Sequence, residues 1–212
     1  MEIRAYDELY VESAQNNLGN VLDYALNTMG VDIDKFESMF IVSDVSKQFE
    51  AGNPAYVCGK NGCELAKMIL DQSGISYEPM DDVMYVDKSP EYWTGWILAY
   101  YQWYSGDIFR EILSVKSMKD ILGMYSIYHE TDIMRFVEYM NKKKEEVYPV
   151  TKLRLFRDNS NLSQAELAKL SGVSIRQIQL FEQKKRDINK TQVTTLLRLS
   201  RALSCNMEDL VE

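Results

Sequence analysis

The 212-residue sequence contains few of the residues on which metal sites and catalytic centres depend. It has one histidine, His129, and three cysteines, of which Cys58 and Cys63 flank the segment GKNG. This pair lacks the further ligands that a four-coordinate zinc site requires, and it is typical of a loop that enters a helix. The sequence shows no EF-hand spacing and no phosphate-binding glycine loop, and nothing in it marks a base or an orienting acid for catalysis by His129. We therefore expect no metal, no cofactor and no catalytic residue, and a protein that is not an enzyme.

Export signals and long apolar runs are also lacking. The first residues, MEIRAYDEL, contain neither the basic region nor the apolar region of a secretory signal. The longest charge-free run, residues 92–106, is fifteen residues long, whereas a membrane-spanning helix needs about 20. An odd number of cysteines without an export signal fits reduced thiols. These absences predict a cytoplasmic protein with no membrane partner.

Charge is distributed unevenly along the chain, whose net charge is −8. Residues 1–149 hold 13 basic and 25 acidic side chains, a net of −12, whereas residues 150–212 hold 11 basic and 7 acidic side chains, a net of +4. Because DNA phosphates repel an acidic surface, this asymmetry predicts that the C-terminal part alone contacts nucleic acid.

Apolar residues recur at helical spacing almost throughout, which predicts a mainly α fold. The first stripe precedes Gly30, which stands where a glycine would end the helix, and consists of Leu9, Ala14, Leu18, Val21, Leu22, Ala25 and Leu26. Later helix starts are predicted at Ser89-Pro90-Glu91, Ser117 and Thr131. Residues 75–88 lack a helical period and contain Pro79, so we expect a long loop or a short two-stranded ribbon.

An abrupt change of composition at residues 141–149, NKKKEEVYP, predicts a linker between two domains. Its three lysines fit either a solvated helix end or a contact with phosphates. On this division, residues 1–140 form an acidic, mainly helical domain that binds a partner or a ligand, and residues 150–212 form a second, basic domain.

The segment QAELAKLSGVSIRQIQLFEQ, residues 164–183, has the pattern of two helices that cross at a tight turn. Ala168 is small where the two backbones approach, and Gly172 supplies the positive φ that the turn requires. The apolar residues expected to face the shared core are Leu162, Leu167, Val173, Ile178 and Phe181.

Both helices of this segment have the starting pattern of a capping box, formed by Ser163 with Glu166 and by Ser174 with Gln177. The second box could engage Gln177 within its own helix rather than with a base. When the apolar side of the second helix faces inward, its opposite face presents Arg176, Gln179, Leu180 and Gln183. This face carries no negative charge, which favours contact with DNA.

Residues 150–212 resemble the helix-turn-helix domain of the Cro/C1-type (XRE) family of DNA-binding regulators, most clearly in the string LSQAELAKLSGVS. The resemblance implies a compact domain of five helices whose third helix, Ser174 to about Gln183, lies in the major groove of double-stranded DNA. It also implies an ion pair between Arg157 and Glu182 that holds the first helix against the third.

The resemblance further implies which side chains contact DNA. The start of the third helix, at Ser174, belongs to this interface, and the expected base-edge contacts come from Ile175, Arg176, Gln177 and Leu180. The expected contacts with the DNA backbone come from Gln164, Lys184, Lys185 and Arg186. Arginine can bond to guanine O6 and N7, glutamine such as Gln179 can pair with adenine, and apolar side chains can press on thymine methyl groups. Arg176 is therefore the strongest candidate for sequence specificity.

Seven aromatic residues lie in YWTGWILAYYQWY, residues 92–104. On a helix, one face holds Trp93, Trp96, Tyr100 and Trp103, with Tyr104 beside them. Aromatic residues at this spacing are typical of a core, and the alternative is a surface for a ligand or partner. Tyr92 and Tyr101 lie off this stripe, so we expect them to be exposed and name them as candidates for partner or ligand binding.

Two functions for the acidic part remain open. Its charge would attract a basic protein, and a partner-binding domain joined to a helix-turn-helix domain resembles the layout of toxin–antitoxin regulators. This layout implies an autoregulator, expected to be a repressor, whose basic partner is a toxin. The alternative is a one-component regulator whose aromatic-rich domain senses a small ligand. One helix-turn-helix domain contacts only a half-site, so we expect a homodimer.

Overall fold

The computed structural model describes residues 4–78, 80–82, 87–147 and 150–212, which form fourteen α-helices and no β-strand. The prediction of a mainly α fold is therefore confirmed for the residues described. The chain divides into two compact units, with the boundary between Lys144 and Glu145. None of the helices in the described ranges combines the length and the apolar character that crossing a bilayer requires.

The described residues of the N-terminal unit include ten α-helices, the last of which runs past its boundary. They are α1 (Val11–Asp23), α2 (Ile33–Phe40), α3 (Asp44–Glu50), α4 (Pro54–Val57), α5 (Gly62–Gln72), α6 (Pro90–Ser105), α7 (Phe109–Val115), α8 (Met118–Leu122), α9 (Tyr125–Tyr128) and α10 (Ile133–Val147). Residues 141–147 of the predicted linker thus belong to α10, and its last two residues lie outside the described ranges. Of the predicted loop or ribbon at 75–88, the described residues form no strand, while Pro79 and residues 83–86 lie outside the described ranges.

Two glycines allow α1 and α6 to cross at close range in the core of this unit. A Cβ atom at Gly95 would lie 2.2 Å from the carbonyl oxygen of Leu18, and one at Gly19 would lie 2.7 Å from the ring of Tyr92. Real Cβ contacts are not this short, so the crossing requires that neither position has a side chain. The two helices then bury apolar residues on both sides of the contact.

The first helix is shorter than its apolar stripe suggested. It begins at Val11, after a 3₁₀ turn at Glu8–Tyr10, and Leu9 in this turn is 86% exposed. The prediction that Leu9 belongs to the apolar stripe of the first helix was wrong, because the 3₁₀ turn does not continue the helical phase of α1. The rest of the stripe is buried or half-buried, and the chain leaves the helical segment at Gly30, whose φ is +65°.

The predicted helix starts are confirmed at two of three places. The Ser89 hydroxyl accepts a hydrogen bond from the Tyr92 N–H at the start of α6, and the Ser117 hydroxyl caps α8 in the same way. Thr131 does not open α10, because its hydroxyl donates to the Tyr128 carbonyl, and Asp132 accepts from the Met134 N–H instead.

The expectation that Tyr92 and Tyr101 are exposed is wrong, since they are 6% and 1% exposed. The α6 helix packs on α1 and also on α8 and α9, so little of its circumference faces solvent. Both hydroxyls have partners, because Tyr92 donates to Asn16 and Tyr101 donates to Asn141. The half-buried positions of the helix belong instead to the predicted core stripe and its neighbour: Trp96, Tyr100 and Tyr104.

The C-terminal unit has its own apolar core. Its helices are α11 (Lys152–Asn159), α12 (Gln164–Ser171), α13 (Ile175–Glu182) and α14 (Val193–Ala202), followed by a 3₁₀ helix at Met207–Leu210. Its buried residues are Leu153, Leu167, Val173, Ile178, Phe181, Ile188, Leu199, Leu203 and Leu210. The four core residues predicted for α12 and α13 are all among them, and Leu162 packs against them half-buried. A further 3₁₀ helix, Ile188–Lys190, lies between α13 and α14, and the 3₁₀ helix at Met207–Leu210 takes the place of the last of the five predicted helices.

Candidate nucleic-acid interface

Helices α12 and α13 are joined by a turn whose geometry depends on Gly172. This residue has φ +65° and ψ 15°, and its N–H bonds to the carbonyl oxygen of Ala168 at 2.9 Å. An L side chain rarely adopts this left-handed conformation without cost, whereas glycine does so freely. The turn therefore fixes the angle at which α13 leaves α12.

The starts of the two helices are capped differently. At α12 the capping box is complete, since Ser163 accepts from the Glu166 N–H and the Glu166 carboxylate accepts from the Ser163 N–H. The Glu166 carboxylate also accepts from the Ser163 hydroxyl at 2.7 Å, and this bond, together with that from the Ser163 N–H, lowers the pKa of the Glu166 carboxyl. At α13 only half of the predicted box is present: Ser174 accepts from the Gln177 N–H at 3.3 Å, and the Gln177 side chain lies 3.4 Å from the Ser174 hydroxyl. The amide of Gln177 is thus held at its own helix start.

A buried ion pair connects α11 to the end of α13. Arg157 donates from Nε to one carboxylate oxygen of Glu182 at 2.6 Å and from its second terminal nitrogen to the other at 3.1 Å. The side chains are only 10% and 3% exposed. The remaining terminal nitrogen of Arg157 bonds to the Leu162 carbonyl and lies 2.6 Å from Asp158. The Glu182 carboxylate beside it raises the pKa of the Arg157 guanidinium, which remains charged.

Gln164, expected to contact a phosphate, bonds to the same carboxylate. Its side-chain amide donates to Glu182 at 2.7 Å, so three N–H groups converge on the two oxygens of Glu182. This carboxylate is the only acidic group on α13, and it is turned inward and compensated. The outer face of α13 is therefore left without a negative charge.

The outer face of α13 holds the residues expected to contact base edges. Ser174, Ile175, Arg176 and Gln183 are exposed, while Gln177, Gln179 and Leu180 are half-buried. Ile175 is 43% exposed, so its apolar side chain is accessible for contact with a thymine methyl group. The structure thus places the predicted base-contacting side chains on one helix and leaves part of each accessible.

The basic run Lys184-Lys185-Arg186 follows α13 directly and is exposed. Lys184 has φ +55°, in the left-handed region, and this conformation allows the Arg186 N–H to bond to the Leu180 carbonyl at 3.0 Å. The guanidinium of Arg186 lies 5.7 Å from the centre of the Phe181 ring. The turn therefore sets three cationic side chains beside the end of α13.

The fold and this surface define a helix-turn-helix DNA-binding domain. Residues 153–210 match the helix-turn-helix family of Cro/C1 type, and they include every residue of the predicted interface. No curated protein and no solved structure matches the chain.

Sequence reasoning missed an aromatic cleft in the N-terminal unit. The cleft has a volume of about 320 Å³ and is lined by side chains of α6, α9 and α10, of the segment between α9 and α10, and of the segment before α6. Among them are Lys88, Trp93, Trp96, Tyr125, Tyr128 and His129. Tyr92 also lines it, whereas Tyr101 does not. These residues are distant in sequence, so no local pattern could have indicated that they meet.

The cysteines predicted to lie at a loop before a helix do so. Cys58 is exposed in the turn after α4, and Cys63 is buried in the first turn of α5. Within the described ranges, no group of three histidine, cysteine or acidic side chains is arranged to hold a metal ion.

Proposed function

We propose that this protein is a sequence-specific DNA-binding transcription regulator rather than an enzyme. The observation that carries the proposal is the acid-free outer face of α13, which the buried Arg157–Glu182 pair anchors on the opposite side. A helix so exposed can enter the major groove, about 12 Å wide, with its N-terminal residues toward the bases. The basic run after α13 would lie beside the phosphates and position the helix without reading sequence.

Arg176 and Lys185 have different roles in this proposal. Arg176 is exposed in the first turn of α13, where it can bond to two acceptors of a guanine, so Arg176→Ala should weaken binding to the preferred sequence by about 1–3 kcal/mol and relax specificity. Lys185→Ala should weaken binding to all sequences alike and reduce the salt dependence by about one phosphate contact. The measurement is a fluorescence-anisotropy titration of specific and random duplexes at several salt concentrations.

Lys169→Ala is a matched control for this titration, because Lys169 is an exposed cation of α12 outside the predicted interface. Its affinity for both kinds of duplex should stay close to that of the unaltered protein. Wild-type affinity in both test variants, on every duplex, would exclude DNA reading by α13.

We propose that the regulator acts as a repressor and binds as a homodimer. One helix-turn-helix domain contacts a half-site, and two such domains gain affinity by binding together. A dimer bound at a promoter would block transcription by occupying the DNA. Sedimentation of a strict monomer, with and without operator DNA, would contradict the dimer.

For the N-terminal unit we propose binding of a basic partner protein, as in an antitoxin-like autoregulator. The support is the charge of residues 1–149, which attracts a cationic surface and speeds association. The test is affinity capture from native cytosol, followed by measurement of charge and stoichiometry. We expect a stoichiometric basic protein that dissociates more readily as salt is added, because screening weakens surface charge attraction. Absence of such a protein would contradict this role.

The aromatic cleft favours a second candidate function for the same unit, a sensor of a small ligand. Ligand sites in proteins usually measure about 300–1,000 Å³ and are lined mainly by apolar and aromatic side chains with a few polar groups. The cleft fits this description at the small end of the range. A retained small molecule that alters operator binding would support the sensor over the partner-binding domain.

A further inference from the structure

The walls of the aromatic cleft consist of rings that hold one another in place. Trp93 meets Tyr125 edge-on at 5.7 Å between ring centres, and Tyr128 meets Phe136 in the same way at 5.8 Å. His129 stacks on Tyr125 at 4.2 Å. Rings fixed by such contacts lose little further freedom when a flat molecule enters between them. The cleft is therefore organised for a planar aromatic group.

Trp96 contributes an indole ring to the lining of this cleft. It is half-buried on α6, packs against the core of the unit and lines the cleft. An indole ring has a large face on which another ring can stack, and aromatic pairs gain free energy beyond the area that they bury.

The charge of the lining distinguishes this cleft from the rest of an acidic unit. None of the described residues that line it is Asp or Glu, whereas Lys88 is among them. The Lys88 ammonium lies 4.1 Å from the centre of the ring of Tyr92, which also lines the cleft. A cationic ligand would be repelled by this ammonium, and an anionic group would be attracted by it.

His129 adds a polar group whose orientation is fixed. Its Nδ1 lies 2.7 Å from the Tyr125 carbonyl oxygen, and because a carbonyl can only accept, Nδ1 carries a proton. Its Nε2 lies 3.5 Å from the carboxylate of Glu130, whose side chain is 86% exposed and does not line the cleft. Among the described residues that line the cleft, Lys88 is the only lysine or arginine.

From these observations we propose that the cleft of the N-terminal unit binds a small planar aromatic molecule, of one or two rings, that carries an anionic group. The rings of the cleft, including Trp96, stack on the ligand, and Lys88 binds its anionic group. This proposal specifies the class of ligand for the sensor function proposed above. Ligand binding itself can be tested alone, and only an effect of the ligand on operator binding rests on that sensor function.

The test uses two probes that share a ring system and differ in charge. The full-length protein is titrated by calorimetry with 2-naphthoate and with 2-naphthylmethylammonium, without DNA. We expect 2-naphthoate to bind saturably to one site per chain and more tightly than the cation, by about fivefold. Lack of saturable naphthoate binding, or equal binding of both ions, would overturn the proposal.

Three variants assign the binding to this cleft. Lys88→Gln should reduce naphthoate affinity by about fivefold, and Lys88→Glu should reverse the preference between the two ions. Trp96→Ala should weaken both probes by about tenfold. Lys47→Gln, at an exposed lysine of α3 outside the cleft, is the matched control and should bind like the unaltered protein.

These variants also provide the outcomes that contradict the proposal. Unchanged naphthoate binding in both Lys88 variants would show that the probe binds outside the cleft. A melting curve would reveal whether Trp96→Ala folds. If it does not, the two Lys88 variants still test the proposal. Because the titration contains no DNA, its failure leaves the DNA-binding proposal intact. Wild-type affinity for DNA in the Arg176 and Lys185 variants, which would exclude the DNA-binding proposal, would likewise leave this site untouched.

Discussion

Among single residues, Glu182 links the folding of the C-terminal unit to the DNA contact that we propose for α13. A carboxylate on a DNA-binding helix would repel phosphates if it faced outward. Here Arg157 and Gln164 surround it with N–H donors and exclude it from solvent. Removal of one member of such a buried pair leaves the other charge without compensation, which costs much more than the loss of a surface ion pair.

We therefore expect Arg157→Ala to lower the free energy of unfolding of the C-terminal unit by about 3–5 kcal/mol. Urea unfolding, monitored by circular dichroism, measures the change. Asp158→Asn is the matched control, because Asp158 also contacts Arg157 but is half-exposed, and its replacement should cost less than about 1 kcal/mol. Equal midpoints for Arg157→Ala and the unaltered protein would show that the pair does not support the fold.

A second residue-scale effect concerns Glu37 on α2. Burial raises the pKa of its carboxyl, the hydrogen bond that it accepts from the Met118 N–H at 2.6 Å lowers it in part, and the neighbouring charges of Asp34 and Asp120 raise it further. The folded protein therefore holds this proton more tightly than the unfolded chain. The stability that results is present below the unfolded pKa and is lost as pH rises through the folded pKa.

Glu37→Gln keeps an oxygen that can accept from Met118 and stays neutral at every pH. We expect this variant to match the unaltered protein near about pH 4 and to be more stable at about pH 7. Denaturant unfolding at both pH values tests the difference. Glu138→Gln, at an exposed position of α10, should show no such gain, and a gain of equal size there would refute the explanation.

Among the elements, α1 and α6 cross so closely that the contact leaves no room for a side chain at Gly95. Gly95→Ala would bring a methyl group to within 2.2 Å of a backbone oxygen of Leu18, which cannot move as a flexible side chain can. We expect a loss of about 1–3 kcal/mol or more in thermal unfolding experiments. Gly123→Ala is the control, because its φ is −62° and its methyl group would come no closer than 3.4 Å to another atom. Comparable losses in both variants would contradict the steric explanation.

The boundaries of several elements could be predicted because their causes are local. The caps at Ser89, Ser117 and Ser163 each involve atoms three residues apart. Gly172 adopts the positive φ that the turn at its own position requires. The helix-turn-helix domain was recognisable for the same reason, since its pattern lies within some twenty consecutive residues and its core depends on helical spacing.

Features that depend on distant neighbours could not be predicted in this way. Periodicity indicated that α6 is aromatic and apolar, but its buried side depends on α1, α8 and α9, so Tyr92 and Tyr101 were assigned to the wrong environment. The aromatic cleft likewise forms only when α9 and α10 reach α6. The prediction that Thr131 caps α10 was wrong for a local reason, because the neighbouring Asp132 accepts the hydrogen bond at the helix start instead.

For the whole molecule, the two parts of the chain have net charges of opposite sign, so they interact differently with DNA. The C-terminal part has the net charge that attracts DNA, and the N-terminal part has a net charge that repels it. Non-specific affinity should then be modest, because attraction to phosphates is its main source. Sequence-specific affinity would depend on the paired half-sites of a dimer.

We expect duplexes selected by the full-length protein from a random pool to contain two inverted half-sites with centres about 34 Å apart, or one helical turn. Inserting half a turn between them should reduce affinity to that of a single half-site, because the two domains could no longer reach the same side of the duplex. The selected sequences and a gel-shift series with altered spacing provide the measurement. A single half-site bound as tightly as the pair would contradict the dimeric arrangement.

The left-handed conformation of Lys184 has a consequence for attempts to improve this protein. An L side chain in that conformation costs about 1–2 kcal/mol relative to glycine. This local cost places an ammonium group two residues after the helix that we propose to contact DNA. A laboratory search for heat-resistant variants would favour glycine at this position, and the more robust proteins that it produced would be poorer at holding a duplex.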